Sequence, residues 1–138
     1  MLASAPWRID GKVNCHQLAS RLMRNNRVLF VESSGLRRPK LTHKADRAKI
    51  LHRLASWTVQ TCRGKREDPS GLTVLSPLIW PNPARRALNG RLLSWQVNRA
   101  IRQLNFHDPI LWMFLPTAAD AMEHIASSCR IYHCVDDY

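Results

Sequence analysis

The sequence is poor in glycine, with 5 among 138 residues, and these five form none of the glycine-rich loops that cradle phosphates. Neither G-x-G-x-x-G nor G-x-x-x-x-G-K-[ST] is present, which argues against a dinucleotide fingerprint and against a P-loop. The G-x-S-x-G elbow is also missing, so an α/β-hydrolase is not predicted. The glycine-marked nucleotide and ester-hydrolysis motifs therefore do not explain this chain.

Cysteine is also sparse, with four residues and no C-x-x-C pair. Cys15-His16 and His133-Cys134 are adjacent pairs, which is not the ligand spacing of a zinc site, so no metal is predicted. A chain of this length with four cysteines is ordinary for a reducing compartment and excludes a small disulfide scaffold.

Long apolar runs are absent, since the longest covers residues 110–116 and a membrane span needs about 18–20. The first residues lack a charged head followed by an apolar stretch, so export is not expected. Together these features predict a cytoplasmic protein without a membrane span.

Acidic residues are few, with 10 Asp and Glu against 21 Lys and Arg, and the formal net charge is +11. Residues 37–66 hold ten basic side chains against Asp46 alone, a net +9. Such a segment predicts a face that meets an anionic partner, namely lipid head groups, nucleic acid or a phosphorylated substrate; the alternative is a solvated surface. The residues we expect to bind membrane or other anions are Arg37, Arg38, Lys40, Lys49 and Arg53.

Short apolar runs alternate with longer amphipathic stretches along the chain. Strands that are continuously apolar are typical of a parallel sheet covered on both faces. We therefore predict an α/β fold, a doubly wound, mostly parallel sheet in three αβα layers, forming one domain over residues 1–138. The predicted strands cover 2–5, 28–33, 72–76, 109–116 and 130–135, and the predicted helices cover 14–26, 42–61, 85–105 and 117–126.

In such sheets ligands bind beyond the carboxyl ends of the strands. There, Gly11 and Lys12 form a turn into a helix whose N-terminus favours an anion, with Asn14 as the expected N-cap and His16 as a titratable donor. The alternative is an ordinary capped loop. Asp136 and Asp137 follow the last strand and can accept hydrogen bonds from sugar hydroxyls or cap a following element.

Several of these segments, taken in order, resemble the N-terminal domain of bacterial glycosyltransferases of the GT-B type, in particular the family-4-like enzymes that build teichuronic acid and other surface polysaccharides. The resemblance runs over nearly the whole chain. It is carried most specifically by NRVLFVES at 26–33, GLRRP at 35–39 and IYHCVDD at 131–137.

The resemblance implies a Rossmann-like domain that faces a second, donor-binding domain across a cleft. A nucleotide-sugar donor, a glycan or lipid-linked acceptor and retention of configuration are implied with it, and no other cofactor. Gly11, Lys12, Asn14 and His16 would line the cleft, and Asp136 and Asp137 would lie at its floor. Because the second domain is absent from this sequence, we expect an incomplete domain that is inactive alone, held at the inner face of the cell membrane by its basic segment.

A different class of function fits the composition too. The chain could be a non-catalytic basic α/β module that binds anionic membrane or nucleic acid. Nucleic acid is the weaker of these two, because aromatic residues do not interleave with the basic residues of segment 37–66 as they do in single-strand binders.

Overall fold

The computed structural model describes residues 1–8, 10–33, 71–79 and 85–135, and within them the protein is a mixed α/β fold with parallel strands. That much of the predicted fold class is confirmed. The described strands are β1 (Val28–Val31), β2 (Leu72–Leu75), β3 (Ile110–Met113) and β4 (Cys129–Tyr132). The described helices are α1 (Asn14–Leu22), α2 (Arg86–Gln103), α3 (Ala119–Met122) and a single 3-10 turn at Pro116–Ala118.

The strands form two parallel pairs, β1 with β2 and β3 with β4. One residue joins the pairs, because Leu2 makes parallel bridges to Val31 on one side and to Met113 on the other. The Leu2 amide donates to the Trp112 carbonyl at 2.7 Å, and the Ala3 amide donates to the Val31 carbonyl at 2.9 Å. The parallel segments of the described chain therefore lie in the order β2, β1, Leu2, β3, β4.

Both faces of β1 are buried, and alternate residues of this strand serve opposite faces, as the pleat of a strand requires. Val28 and Phe30 belong to an apolar cluster that includes Cys15 and Ala19 of α1. Leu29 and Val31 belong to a second cluster, which contains the core-facing residues of α2 and α3. The continuous apolar run at 28–31 is thus explained by burial on two sides.

Helix α2 packs closely on α3 at Gly90. A Cβ atom placed on Gly90 would lie 3.0 Å from the Asp120 Cβ and 3.2 Å from the Asp120 carbonyl carbon. One turn earlier, Arg86 forms an ion pair with Asp120, with its Nε 2.6 Å from Oδ2. A side chain at position 90 would therefore push α3 away by a few tenths of an ångström, which favours glycine at this contact although glycine lowers helix propensity.

Several predicted boundaries are corrected by the structure. The N-cap of α1 is Val13, so Asn14 is the first helical residue and not the cap, and the helix ends at Leu22 before the polar run that follows. Helix α3 begins at Ala119 and ends at Met122, whereas the sequence predicted a helix over 117–126. The predicted helix over 42–61 lies outside the described residues.

The early end of α3 has a tertiary cause. The Asn98 side chain on α2 donates to the His124 carbonyl at 2.7 Å and accepts from the Ala126 amide at 3.0 Å. These two bonds hold the backbone after Met122 in a turn, replacing the helical bonds that residues 123–126 would otherwise make.

No helix in the described part of the chain is both long and apolar enough to cross a membrane.

Candidate functional site

A crevice of about 440 Å³ opens at the carboxyl ends of the strands. One wall follows the Leu2 bridge, a second follows β3, and the N-terminal end of α1 closes a third side. The lining residues come from these three regions, from the last residue of β4 and from the chain after it; they are Ser4, Ala5, Val13, Asn14, Phe114, Leu115, Pro116, Tyr132 and Val135.

The position of the crevice follows from the order of the strands. From the Leu2 segment the chain moves to β1 on one side, and it reaches β3 on the other side only later. Helix α1, which leads from Leu2 to β1, packs on one face, whereas α2, which precedes β3, packs on the opposite face. Where connections diverge in this way, no helix covers the strand ends, and a crevice remains.

The loop that enters α1 contains three of the predicted residues and brings one of them, Asn14, to this crevice. Gly11 has φ +96°, a left-handed conformation that favours glycine, and no neighbouring atom lies within 4 Å of the position a Cβ would occupy. Lys12 places its Nζ 5.8 Å from the centre of the Trp7 ring. Asn14 is exposed and lines the crevice itself.

His16 lies behind the crevice wall and is fully buried. Its Nε2 is 2.8 Å from the Pro6 carbonyl oxygen, and its Nδ1 is 3.3 Å from the Val13 amide nitrogen. Because a carbonyl only accepts and an amide only donates, we assign the proton to Nε2. The ring thus ties the start of the loop to the helix N-terminus, so His16 positions the wall and its nitrogens are turned inward.

Glu32 is a residue of this edge that the sequence analysis did not single out. Its Oε1 accepts a hydrogen bond from the Trp7 amide at 2.7 Å, and its Oε2 accepts one from the Ser76 hydroxyl. One carboxylate therefore fixes the chain ends that follow the Leu2 bridge, β1 and β2. A lone acidic residue directly after the apolar run 28–31 was the available signal.

The opposite wall of the crevice is apolar, and none of its residues was predicted from the sequence. Tyr132 is 49% exposed and Val135 is 44% exposed, and on the facing side Val13 is 44% exposed. Phe114 forms the inner surface and stacks on His133, with ring centres 4.9 Å apart. The crevice therefore combines the polar groups of Ser4 and Asn14 with an apolar rim, which is the usual composition of a small-molecule site.

The structure does not describe the remaining predicted site residues. Asp136 and Asp137 lie outside the described residues, directly after Val135, which lines the crevice. Arg37, Arg38, Lys40, Lys49 and Arg53 also lie outside them. Within the described ranges, no three His, Cys, Asp or Glu side chains are grouped so as to hold a metal ion.

Replacing His16 with phenylalanine should destabilise the protein by about 2 kcal/mol. The ring stack on Phe30 would be kept, but the bonds to Pro6 and Val13 would be lost, and buried polar groups left without a partner cost roughly 1–3 kcal/mol. Urea unfolding measures the loss, with His124→Phe, at an exposed position, as the matched control. Equal stability of the two variants would contradict the positioning role.

Comparisons with known proteins leave the family open: no family model, no curated protein and no solved structure matches this chain.

Proposed function

We propose that this chain is the N-terminal, acceptor-side domain of a GT-B glycosyltransferase, a Rossmann-like domain with three layers, αβα. The enzyme would transfer a sugar from a nucleotide-sugar donor to a glycan or to a lipid-linked acceptor. The sequence resemblance suggests the family, and two features of the described chain support it. They are the order of the five parallel segments and the helices on both faces of the sheet.

The single observation that carries the proposal is the crevice at the reversal point of the strand order. In open α/β sheets ligands bind at this point, outside the carboxyl ends of the strands. Its volume of about 440 Å³ falls within the range of ordinary ligand pockets. A glycosyltransferase of this class needs such an opening on the domain that receives the acceptor.

The lining suits a sugar, which offers hydroxyl groups at its rim and C–H surfaces on its faces. The Asn14 amide and the Ser4 hydroxyl would exchange hydrogen bonds with the acceptor, and Tyr132 would cover an apolar face of the ring. Lys12, Asp136 and Asp137 keep their proposed roles as further contacts. Gly11 and His16 shape the loop that presents Lys12 and Asn14.

Under this proposal the donor's contacts belong mainly to a second domain, and the chain alone binds acceptor without turning it over. The basic segment with Arg37, Arg38, Lys40, Lys49 and Arg53 would hold the enzyme at the inner membrane surface, where lipid-linked acceptors are found. The protein would then be a peripheral membrane protein of the cytoplasm.

Binding of acceptor-like sugars tests the proposal. We expect saturation-transfer NMR to show contacts between the chain and simple hexosides or short oligosaccharides, and Asn14→Ala to weaken binding about 5- to 12-fold, since a lost hydrogen bond costs roughly 1–1.5 kcal/mol. Asn25→Ala is the matched control, because Asn25 is exposed beyond the far end of α1.

Two results would refute the assignment. One is the absence of an NMR saturation-transfer signal for every sugar probe at millimolar concentration. The other is equal weakening by Asn14→Ala and Asn25→Ala, which would place the bound sugar somewhere other than the crevice.

A further inference from the structure

We propose that the outer face of α2 is a docking surface for anionic lipid bilayers. The surface consists of Leu88, Arg91, Trp95, Arg99 and Arg102, here called the α2 stripe. It belongs to a different element from the basic segment 37–66, and the inference does not depend on glycosyl transfer.

The stripe is continuous along the helix. Its members are spaced by three or four residues, and at 3.6 residues per turn they fall within about 80° of one another around the axis. From Leu88 to Arg102 the stripe extends about 21 Å, at 1.5 Å per residue. The core-facing side of α2 is separate, since it buries Gly90, Leu93 and Val97.

Two large apolar side chains stand on this outer face, where polar residues are the rule for a helix whose other face is already buried. Leu88 is 58% exposed, and Trp95 is 47% exposed. They are seven residues apart, so they project from the same side two turns from each other. Arg99 lies over the Trp95 ring, with its guanidinium carbon 5.8 Å from the ring centre.

The charge of the stripe is of one sign. Helix α2 contains no acidic residue, and Arg91, Arg99 and Arg102 are all exposed. The described carboxylate nearest to the helix, Asp120, pairs with Arg86, which is not part of the stripe. No described carboxylate neutralises the three stripe arginines, so they are available to an outside anion.

An anionic bilayer is the partner that satisfies both features. Arginines bind lipid phosphates, while tryptophan and leucine enter the boundary between head groups and acyl chains, which is the arrangement of interfacial amphipathic helices. A second copy of this chain would place like charges against each other. A nucleic acid would use the arginines but would leave Leu88 exposed to water.

The test uses the full chain and two kinds of vesicle, phosphatidylcholine alone and phosphatidylcholine with phosphatidylglycerol at a ratio of about 2:1. The chain should partition onto the anionic vesicles in co-sedimentation and bind the neutral ones far less. Replacing Arg91, Arg99 and Arg102 together by glutamine should weaken partitioning about 100-fold, which corresponds to about 1 kcal/mol for each arginine.

A matched variant removes the same charge elsewhere. Arg21, Arg24 and Arg130 are exposed on other elements, and their replacement by glutamine should weaken binding less than about 5-fold, because distant charges are screened. Equal losses in the two triple variants would overturn the proposal, since net charge alone would then explain binding. An unchanged affinity of the α2 triple variant would also overturn it and would assign binding to segment 37–66.

A second pair of variants tests the apolar part. Leu88→Ser with Trp95→Ser should weaken partitioning at least 10-fold, whereas Ile110→Ser, at a site 59% exposed on β3, should leave it unchanged. Because all of these positions are exposed, the variants should keep the fold, and circular dichroism checks this. If a short RNA binds with the same dependence on the stripe arginines and without dependence on Leu88 and Trp95, the membrane assignment fails.

Discussion

Replacing Phe30 with alanine should lower the free energy of unfolding by about 3–5 kcal/mol, the usual range for a fully buried aromatic residue. Phe30 is completely inaccessible at the centre of β1. Its ring meets Trp7 edge-to-face with centres 5.0 Å apart and stacks on His16 at 5.5 Å. Since small domains have only about 5–15 kcal/mol of stability in total, this variant should unfold at a much lower urea concentration than the parent chain.

A matched substitution separates the buried contact from the loss of an aromatic ring. Phe106 is half-buried at the end of α2, beneath the Arg27 guanidinium, and Phe106→Ala should cost less than half as much. Urea unfolding followed by far-UV circular dichroism gives both values. Similar midpoints for the two variants would show that Phe30 is not central to the core.

Lowering the pH from 8 to 5 should remove up to about 4 kcal/mol of stability through the amino group of Met1 alone. Burial lowers the pKa of that group from 8.0 to about 5, because removal from water disfavours the charged ammonium form. The amine donates to the Leu29 carbonyl at 2.8 Å. Between these two pH values the unfolded chain binds a proton that the folded chain does not bind. Stability is therefore complete above pH 8 and is lost as the pH falls, by about 1.4 kcal/mol for each of three pKa units.

Histidines and carboxylates titrate in the same range, so a chain without the free amine is needed for comparison. A short Gly-Ser extension before Met1 turns the amine into an amide, which keeps a donor for Leu29 and moves the charge out to solvent at the amino end of the strands. The difference in unfolding free energy between pH 8 and pH 5 should be smaller in the extended chain by about 4 kcal/mol. Parallel pH profiles for the two chains would contradict this account of Met1.

The mixed α/β class with parallel strands was predictable because its signals are local. The run Val28–Val31 is apolar without alternation, and both of its faces proved to be buried, as a parallel strand requires. The last strand is displaced by one residue at its start, beginning at Cys129, because pairing with Ile110 sets its register. Ile110 itself is 59% exposed, although the sequence indicated a strand buried throughout.

The site was predictable only in part. Asn14 could be placed at a helix N-terminus near the ligand edge, because short-range spacing determines that position. The role of Glu32 could not be predicted, since its partners Trp7 and Ser76 are distant in sequence and meet it only after the strands align. The same is true of Asn98, which lies on α2 and terminates α3 by hydrogen bonds to the backbone that follows it.

The single bridging residue, Leu2, has a consequence for how this protein is made. Leu2 and Val31 are close in the chain and can pair early, but Met113, the partner of Leu2 on the other side, is synthesised more than a hundred residues later. At about 5–20 residues per second this interval is roughly 5–20 s. During it, one edge of the nascent half-sheet is open and its apolar face is uncovered. The open edge beside Leu2 is thus the place where a chaperone or a neighbouring nascent chain would compete with the correct fold.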